Sequence, residues 1–502
     1  MDIILTTFNA RYAHSALSLR YLKANLKELE DKALIQEFVI NENIQTIAEK
    51  ILANSPKIVG ISTYIWNAGD VSQLIKIIKK VAPEVVLILG GPEVSHTPHR
   101  VDFDSADYFV KGEGEISFYE LCRDILHENY PKEKWVAPQV PKLKEITLPY
   151  HLYTDHDIEA RRIYLEASRG CPYECEFCLS AIDERVRYFD IDALMGSIET
   201  LWQRGARDFR FIDRTFNLNM KIAMRLIDYF LAKEEEYFLH FEVIPDNFPE
   251  KLKVKIVQFA PASLQLEVGI QTLNPDVANT INRPLNIPKI IENIKFLEST
   301  HAHMHVDLIV GLPSESIESF AKNLEMLASL TKSEIQIGIL KKLSGTTINR
   351  HDIDFKMVYD DTPPYDVLST SEINFSQMQE MKRFARFWDV AYNSGNFNKT
   401  VRLLWSDATV YEGFMKFSNW VYAKSESTHK FSLERFGALI FEFLVGENLH
   451  EDLVVAQSLV DDIMKIEGRK LPKFLYEYRD SLVLPEGHKQ GIANKRQTKH
   501  VE

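Results

Sequence analysis

Cys171, Cys175 and Cys178 stand in the segment Ser168-Arg-Gly-Cys-Pro-Tyr-Glu-Cys-Glu-Phe-Cys-Leu179, spaced C-x3-C-x2-C. Three of the chain's four cysteines fall within these eight residues. Three soft thiolate donors in one tight loop make a metal site. Electron-transfer clusters take four cysteines. Three leave one iron of a cubane without a protein ligand, able to bind a small molecule and pass it an electron. A zinc site would want a fourth Cys or His at ligand spacing. The nearest histidines, His151, His156 and His240, show no such spacing.

The spacing, the aromatic Phe177, the Arg-Gly-Cys-Pro start and the apolar stretch 163–168 resemble the signature of the radical S-adenosylmethionine (SAM) enzymes. That resemblance implies a [4Fe–4S] cluster on Cys171, Cys175 and Cys178, with the open iron chelating the amine and carboxylate of SAM. One electron from a low-potential donor of flavodoxin or ferredoxin type would then cleave the carbon–sulfur bond and release a 5′-deoxyadenosyl radical.

The chain has 502 residues, 45% hydrophobic and 26% charged, with a formal net charge of −13. Length sets a prior of about three domains, globular in composition. The negative charge argues against a large non-specific nucleic-acid surface. No apolar run is long enough to span a membrane, and the first eight residues lack the basic start of a signal peptide. Four cysteines cannot make a disulfide framework here, and an exposed cluster needs a reducing compartment, so the cytoplasm is expected.

To hold such a loop the chain needs α/β scaffolding, and the pattern supplies it. Residues 1–127 alternate apolar strands with amphipathic helices: strands at 3–8, 34–40, 58–62, 85–89 and 108–110, helices at 15–29, 44–53, 71–81 and 116–126. That rhythm predicts a doubly wound parallel sheet, which binds ligands at the carboxyl ends of its strands. No G-x-G-x-x-G follows the first strand, so a dinucleotide is not expected. Gly90 and Gly91 after the fourth strand let a flat group approach the backbone. With Ser62, Thr63, Tyr64, Trp66 and Asn67 after the third strand and Gly112 after the fifth, this region resembles the cobalamin-binding domain upstream of many radical SAM domains. The resemblance implies that these residues flank the nucleotide tail of cobalamin. It also marks a departure. Where many cobalamin domains carry D-x-H-x-x-G, this chain has Tyr12 for the Asp and no glycine, leaving His14 either a cobalt ligand or a backbone or helix-capping group. The alternative is a flavodoxin-like domain that is empty or takes another ligand.

From 163 the strand–helix rhythm repeats six times, with strands near 163–168, 208–212, 238–244, 263–268, 304–310 and 335–340. Six units suit the partial (β/α)6 barrel of the radical SAM family, with its site at the carboxyl ends of the strands. By the same resemblance Asp213 holds the SAM amino group, Glu267 and Gln271 are offered at the end of the fourth strand, Arg283 pairs with the SAM carboxylate, and Val306–Pro313 passes the adenine. For each polar residue the competing reading is a helix cap or a surface ion pair.

Residues 351–485 read as helices, at 376–392, 405–412, 419–424, 433–443 and 453–465, with an aromatic content fit for a helical core or a substrate-contacting lid. The expected division is a cobalamin-binding domain at 1–130, a linker at 131–160, the partial barrel at 161–350, a mostly helical domain at 351–484 and a basic, disordered tail at 485–502. Cysteines for a second cluster or for covalent catalysis are absent, which excludes methylthiotransferases, maturases with auxiliary clusters and the paired-cysteine RNA methylases. The remaining resemblance is to cobalamin-dependent radical SAM enzymes, in which methyl transfer to an unactivated carbon is the commonest activity. A radical rearrangement without methylation, or a non-catalytic cobalamin sensor or carrier, are the alternatives. The substrate is not legible.

Overall fold

The computed structural model describes residues 1–485; the basic tail beyond 485 lies outside the described residues. The chain divides into two compact units. Among the described residues, one is 1–214 with 341–350 and 359–366; the other is 215–340 with 351–358 and 367–485.

The first unit opens with β1 (Ile3–Asn9), α1 (Leu17–Ala24), β2 (Ala33–Val39), α2 (Ile44–Leu52), β3 (Ile58–Ser62), α3 (Ala68–Val81), β4 (Val86–Gly90), β5 (Tyr108–Val110), α4 (Glu115–Leu126) and β6 (Trp135–Val136). The strands pair in parallel in the order β2-β1-β3-β4-β5-β6. β1 and β3 are buried at every residue, as strands covered on both faces must be, and they are accordingly rich in Ile, Val and Leu. One face packs on α2 and α3 around Ile47, Ile51, Leu74 and Ile75, the other on α1 and α4 around Leu19, Phe118, Leu121 and Ile125. Strand order reverses between β1 and β3, which places the binding crevice of a doubly wound sheet at their carboxyl ends.

Two local features differ from the sequence pattern. α1 ends at Ala24 rather than at 29, because Asn25 turns its side chain back to the Tyr21 carbonyl and Lys27 takes a left-handed φ of 51°, opening a 3-10 turn at Lys27–Lys32. A sixth strand, β6, extends the sheet inside the segment read as linker. It is two residues long, too short for any periodicity, and Trp135 stacks on Phe109 at 4.4 Å.

The same unit continues through α5 (Asp155–Ala160), β7 (Ile163–Leu165), the antiparallel pair β8 (Ser168–Arg169) and β9 (Arg187–Tyr188), α6 (Ile191–Gln203) and β10 (Asp208–Phe211), which runs parallel to β7. Arg20 on α1, nearly fully buried, ties this stretch to the N-terminal sheet by pairing with Glu37 on β2 and Asp157 on α5, both at 3.0 Å.

The second unit alternates α7 (Met220–Leu231), β11 (Phe238–Val243), α8 (Glu250–Ile256), β12 (Leu264–Gln271), α9 (Pro275–Thr280), α10 (Ile287–Glu298), β13 (His303–Val310), α11 (Ile317–Leu330) and β14 (Glu334–Ile339). β11 to β14 pair in parallel as sequential neighbours. Asn219, Asn274, Asn286 and Ser316 cap the helix starts through their side-chain oxygens, satisfying donors that a helix leaves unpaired. Four helices follow: α12 (Phe375–Trp388), α13 (Val410–Ser425), α14 (Leu433–Gly446) and α15 (Asp452–Met464). α13 is one helix where the pattern suggested two, since Thr409 and Glu412 close a capping box at its start and leave Trp405 in the preceding 3-10 turn. Trp388, Phe414 and Phe384 pack together in its core, and the Trp388 indole donates to the Ile335 carbonyl at 2.9 Å. Among the described residues no helix is long and apolar enough to cross a membrane.

Candidate functional site

The three-cysteine loop hangs from the β8–β9 pair. Gly170 opens it with φ +90°, and a Cβ there would stand 2.4 Å from the Arg185 carbonyl oxygen, so only glycine fits. The Cys171 N–H donates to the Asp183 carbonyl at 2.9 Å and the Cys178 N–H to the Cys175 carbonyl at 3.0 Å, folding the loop on itself. Cys171 and Cys175 are buried and Cys178 half-buried; Phe177 is half-buried between them in sequence. Glu176 is buried and pairs with Arg350. Among the described residues no group of three or more His, Cys, Asp or Glu converges on a single ion. A cubane does not ask for that, since each thiolate takes its own iron. Cys122 lies apart, fully buried in the α4 core, and burial pushes its thiol pKa up.

β7 stops at Leu165, three residues earlier than its apolar pattern. Asp213, just past β10, explains the break. Its carboxylate accepts from the Ala167 N–H at 2.9 Å and the Ser168 hydroxyl at 2.5 Å, drawing the chain out of the ladder and toward the loop. Burial raises the Asp213 pKa to about 6, and these donors offset part of the shift.

A cavity of about 590 Å³ opens at the carboxyl ends of β1, β3, β4 and β5. Ser62, Tyr64, Trp66, Gly90, Gly91 and Gly112 line it. Thr63 and Asn67 lie behind the wall. The Asn67 amide donates to Thr7, Phe8 and Ser62, and its oxygen accepts from the Tyr64 N–H, so Asn67 builds the turn. Tyr64 and Trp66 stack at 4.4 Å. Gly91 has φ +104°, and a Cβ there would meet the Thr63 carbonyl at 2.5 Å. Side-chain-free backbone along β3, β4 and the following loop is what leaves room for a large flat or nucleotide-like group. His14 also faces the cavity. Its Nδ1 bonds the Tyr164 hydroxyl at 2.5 Å, and burial, with Arg162, Arg210 and Arg11 nearby, lowers its pKa to about 4.

The far wall comes from Tyr164, Glu166 and Arg169 of the cysteine-bearing stretch and from Ile212 just after β10. Arg169 there meets three carboxylates, Glu113 at 2.7 Å, Glu115 at 2.7 Å and Glu166 at 3.1 Å. Burial raises the Glu166 pKa to about 7 against the pull of Arg169.

In the second unit Glu267, Gln271 and Arg283 gather around Gly269. The Arg283 guanidinium donates to the Gly269 carbonyl, and a Cβ on Gly269 would touch the Gln271 amide. β12 bulges between Gly269 and Gln271, with Gln271 at φ +68°. Asp307 on β13 belongs to the same group; burial, then the charges of Glu267 and Glu242, push its pKa up against His305 and Arg283. His240 stands 3.3 Å from Glu267 and His305 3.2 Å from Glu334. Burial opposes a charge on His305, but Glu334, Asp307 and Glu267 outweigh it and raise its pKa. Asp307, His305 and Glu242 were not among the sequence candidates. The signal was available: His303, His305 and Asp307 recur at every second residue, which puts them on one face of a strand.

Three family models match successive stretches of the chain. Residues 4–122 match the model of the B12 binding domain, 165–327 that of the Radical SAM superfamily, and 353–500 that of a protein of unknown function, DUF4080. The uncharacterized methyltransferase PH0819 of Pyrococcus horikoshii is 26% identical over 358 residues, covering 66% of this chain and 77% of that protein. The 2-(S-pantetheinyl)-carbapenam-3-carboxylate methyltransferase of Streptantibioticus cattleyicolor is 28% identical over 316 residues, 56% of this chain and 45% of that protein, so less than half of its length is spanned. The solved structure of the cobalamin-dependent SAM radical enzyme OxsB, with aqua-cobalamin and SAM bound, shares the fold at a TM-score of 0.64 and 14% identity, covering 99% of this chain and 82% of that one. The chain is a radical SAM enzyme with a B12-binding domain. These two domains imply a [4Fe–4S] cluster, SAM and cobalamin as its cofactors.

Proposed function

We propose that this enzyme transfers a methyl group from SAM, by way of cobalamin, to an unactivated carbon of a small-molecule substrate. The observation that carries the reading is the cavity whose one wall is the glycine-lined strand ends and whose other wall is the stretch bearing the cysteine loop. The methyltransferase names of the relatives support it.

When bound, the cofactors supply a 5′-deoxyadenosyl radical from SAM and a methyl group carried on cobalt. The chain's part is to bind, align and exclude water. Cys171, Cys175 and Cys178 ligate the cluster, and Phe177 shields it. Asp213 fixes the entry to the cysteine loop through Ala167 and Ser168 and is a positioning residue rather than the SAM amine anchor. Arg283 offers a fork to the SAM carboxylate; Glu267, Gln271 and Asp307 accept from its amine and hydroxyl groups. Ser62, Tyr64, Trp66, Gly90, Gly91 and Gly112 hold the cobalamin tail. A flavodoxin or ferredoxin supplies the electron, and a reducing compartment, the cytoplasm, suits the cluster.

Anaerobic reconstitution tests the site. The wild type is expected to bind about four irons, as a [4Fe–4S] cluster does, to retain cobalamin and to release 5′-deoxyadenosine on reduction. A Cys171→Ala/Cys175→Ala/Cys178→Ala variant that still holds the cluster would overturn the ligand assignment.

A further inference from the structure

Glu113 faces the cobalamin cavity, yet its carboxylate is taken up by the base of the cysteine loop. One oxygen accepts from Arg169 at 2.7 Å, and the other accepts from Arg187. Arg169 and Arg187 sit directly opposite each other in the antiparallel β8–β9 pair that closes the loop. Two short routes lead from there to the first cysteine. Along the chain, Arg169 is followed by Gly170 and Cys171. Through side chains, Arg187 donates to the Asp183 carboxylate at 2.8 Å, and the Asp183 carbonyl accepts from the Cys171 N–H at 2.9 Å. The three charged side chains are 13–22% exposed, so solvent screens them only in part.

Glu113 lies between Gly112, at φ +65°, and Gly114, the residue that opens α4. Glycine on both sides leaves its backbone free to adjust. Its position is therefore set by its two arginines on one side and by whatever fills the cavity on the other.

We propose that Glu113 is a positioning residue that couples cobalamin occupancy to the geometry of the cysteine loop, acting through Arg169 and Arg187. The proposal rests on the assignment of the cavity and the loop given above. Coupling of binding free energies is reciprocal. Loading the cluster must then tighten cobalamin binding by the same factor by which cobalamin favours the cluster-competent loop.

The test is cobalamin affinity by equilibrium dialysis, measured with the cluster reconstituted and with it removed. Wild-type protein is expected to bind cobalamin about five-fold or more tightly when the cluster is present. Glu113→Gln keeps the shape and removes the charge; the ratio is expected to fall to about one while the iron content stays unchanged. Arg187→Gln breaks the joint from the other side and guards against a folding defect confined to one variant. The double variant is expected to lose no more coupling than either single one, as in a cycle across one shared interaction. The electron paramagnetic resonance signal of the reduced cluster gives a second readout: cobalamin is expected to change it in wild type and not in Glu113→Gln. A wild-type ratio of one, or an undiminished ratio in both variants, overturns the proposal. Cobalamin binding without coupling sinks only this inference, whereas wild-type protein that retains no cobalamin sinks the reading of the cavity and the coupling with it.

Discussion

Replacing Gly91 by alanine adds one methyl group at the turn between β4 and the cavity wall. The residue has φ +104°, and its Cβ would stand 2.5 Å from the Thr63 carbonyl oxygen and 3.0 Å from the Thr63 nitrogen. Thr63 cannot easily yield. Its N–H donates to the Gly90 carbonyl at 2.8 Å, and its carbonyl accepts from Glu93. The turn must therefore open, and closing it around the cofactor costs the strain of a non-glycine residue at positive φ. At about 1–2 kcal/mol of such strain, cobalamin affinity falls about five- to thirty-fold. Gly69→Ala is the control. Gly69 lies at the start of α3 with nothing within 4 Å of its Cβ position, so alanine there is neutral or stabilising by up to about 1 kcal/mol. Equilibrium dialysis reads the affinities, and circular dichroism confirms the fold. Unchanged cobalamin affinity in Gly91→Ala would refute the argument that this turn forms the cofactor wall.

Three further outcomes follow from the geometry. His14 is neutral above about pH 4 and bonded to Tyr164; the Co(II) resonance spectrum is expected to show no protein nitrogen splitting, and splitting that disappears in His14→Ala would contradict this. Glu166 titrates near 7 in the folded protein, above its unfolded value of 4.5. Its stabilising contribution is complete below 4.5 and is lost as pH rises through 7, so the drop in melting temperature from pH 5 to pH 8 is expected to shrink in Glu166→Gln; an identical drop would count against it. Arg20→Ala removes one of the two arginines that Glu37 and Asp157 share, leaving both to Arg161, and is expected to cost about 3 kcal/mol, the low end for a broken buried pair, read by urea denaturation; a loss below about 1 kcal/mol, as for an exposed pair, would show the network to be open to solvent.

Legibility in the sequence followed the range of the interactions. The cysteine motif is local, so its chemistry was readable from eight residues. The N-terminal sheet was readable because strands buried on both faces, such as β1 and β3, are nearly continuous apolar runs. Elements set by distant partners were not. β7 was expected to run to 168, but Asp213, 46 residues beyond Ala167, pulls the chain out after Leu165. Glu113 lies in a short Gly-Glu-Gly-Glu turn; its partner Arg187 is 74 residues away, and neither residue carries a local signature of the pair. The polar face of β13 lay open to a period-two reading at His303, His305 and Asp307. The stretch around it reads first as an apolar strand, which masks that face. β6 falls below the length at which periodicity can decide, and α1 stops short of its apolar pattern because Asn25 bonds back to Tyr21 and Lys27 turns to a left-handed φ.

The central claim is methyl transfer, and the most direct measurement follows deuterium from methyl-labelled SAM. Cells with and without the protein, fed methyl-deuterated methionine, are compared by mass spectrometry of their metabolites. At least one metabolite is expected to carry an intact trideuteromethyl group only when the protein is present, and to lose it when Cys171, Cys175 and Cys178 are all alanine. Release of 5′-deoxyadenosine by the purified enzyme, with a metabolite changed in structure but carrying no deuterium, would contradict methyl transfer and point to a rearrangement instead.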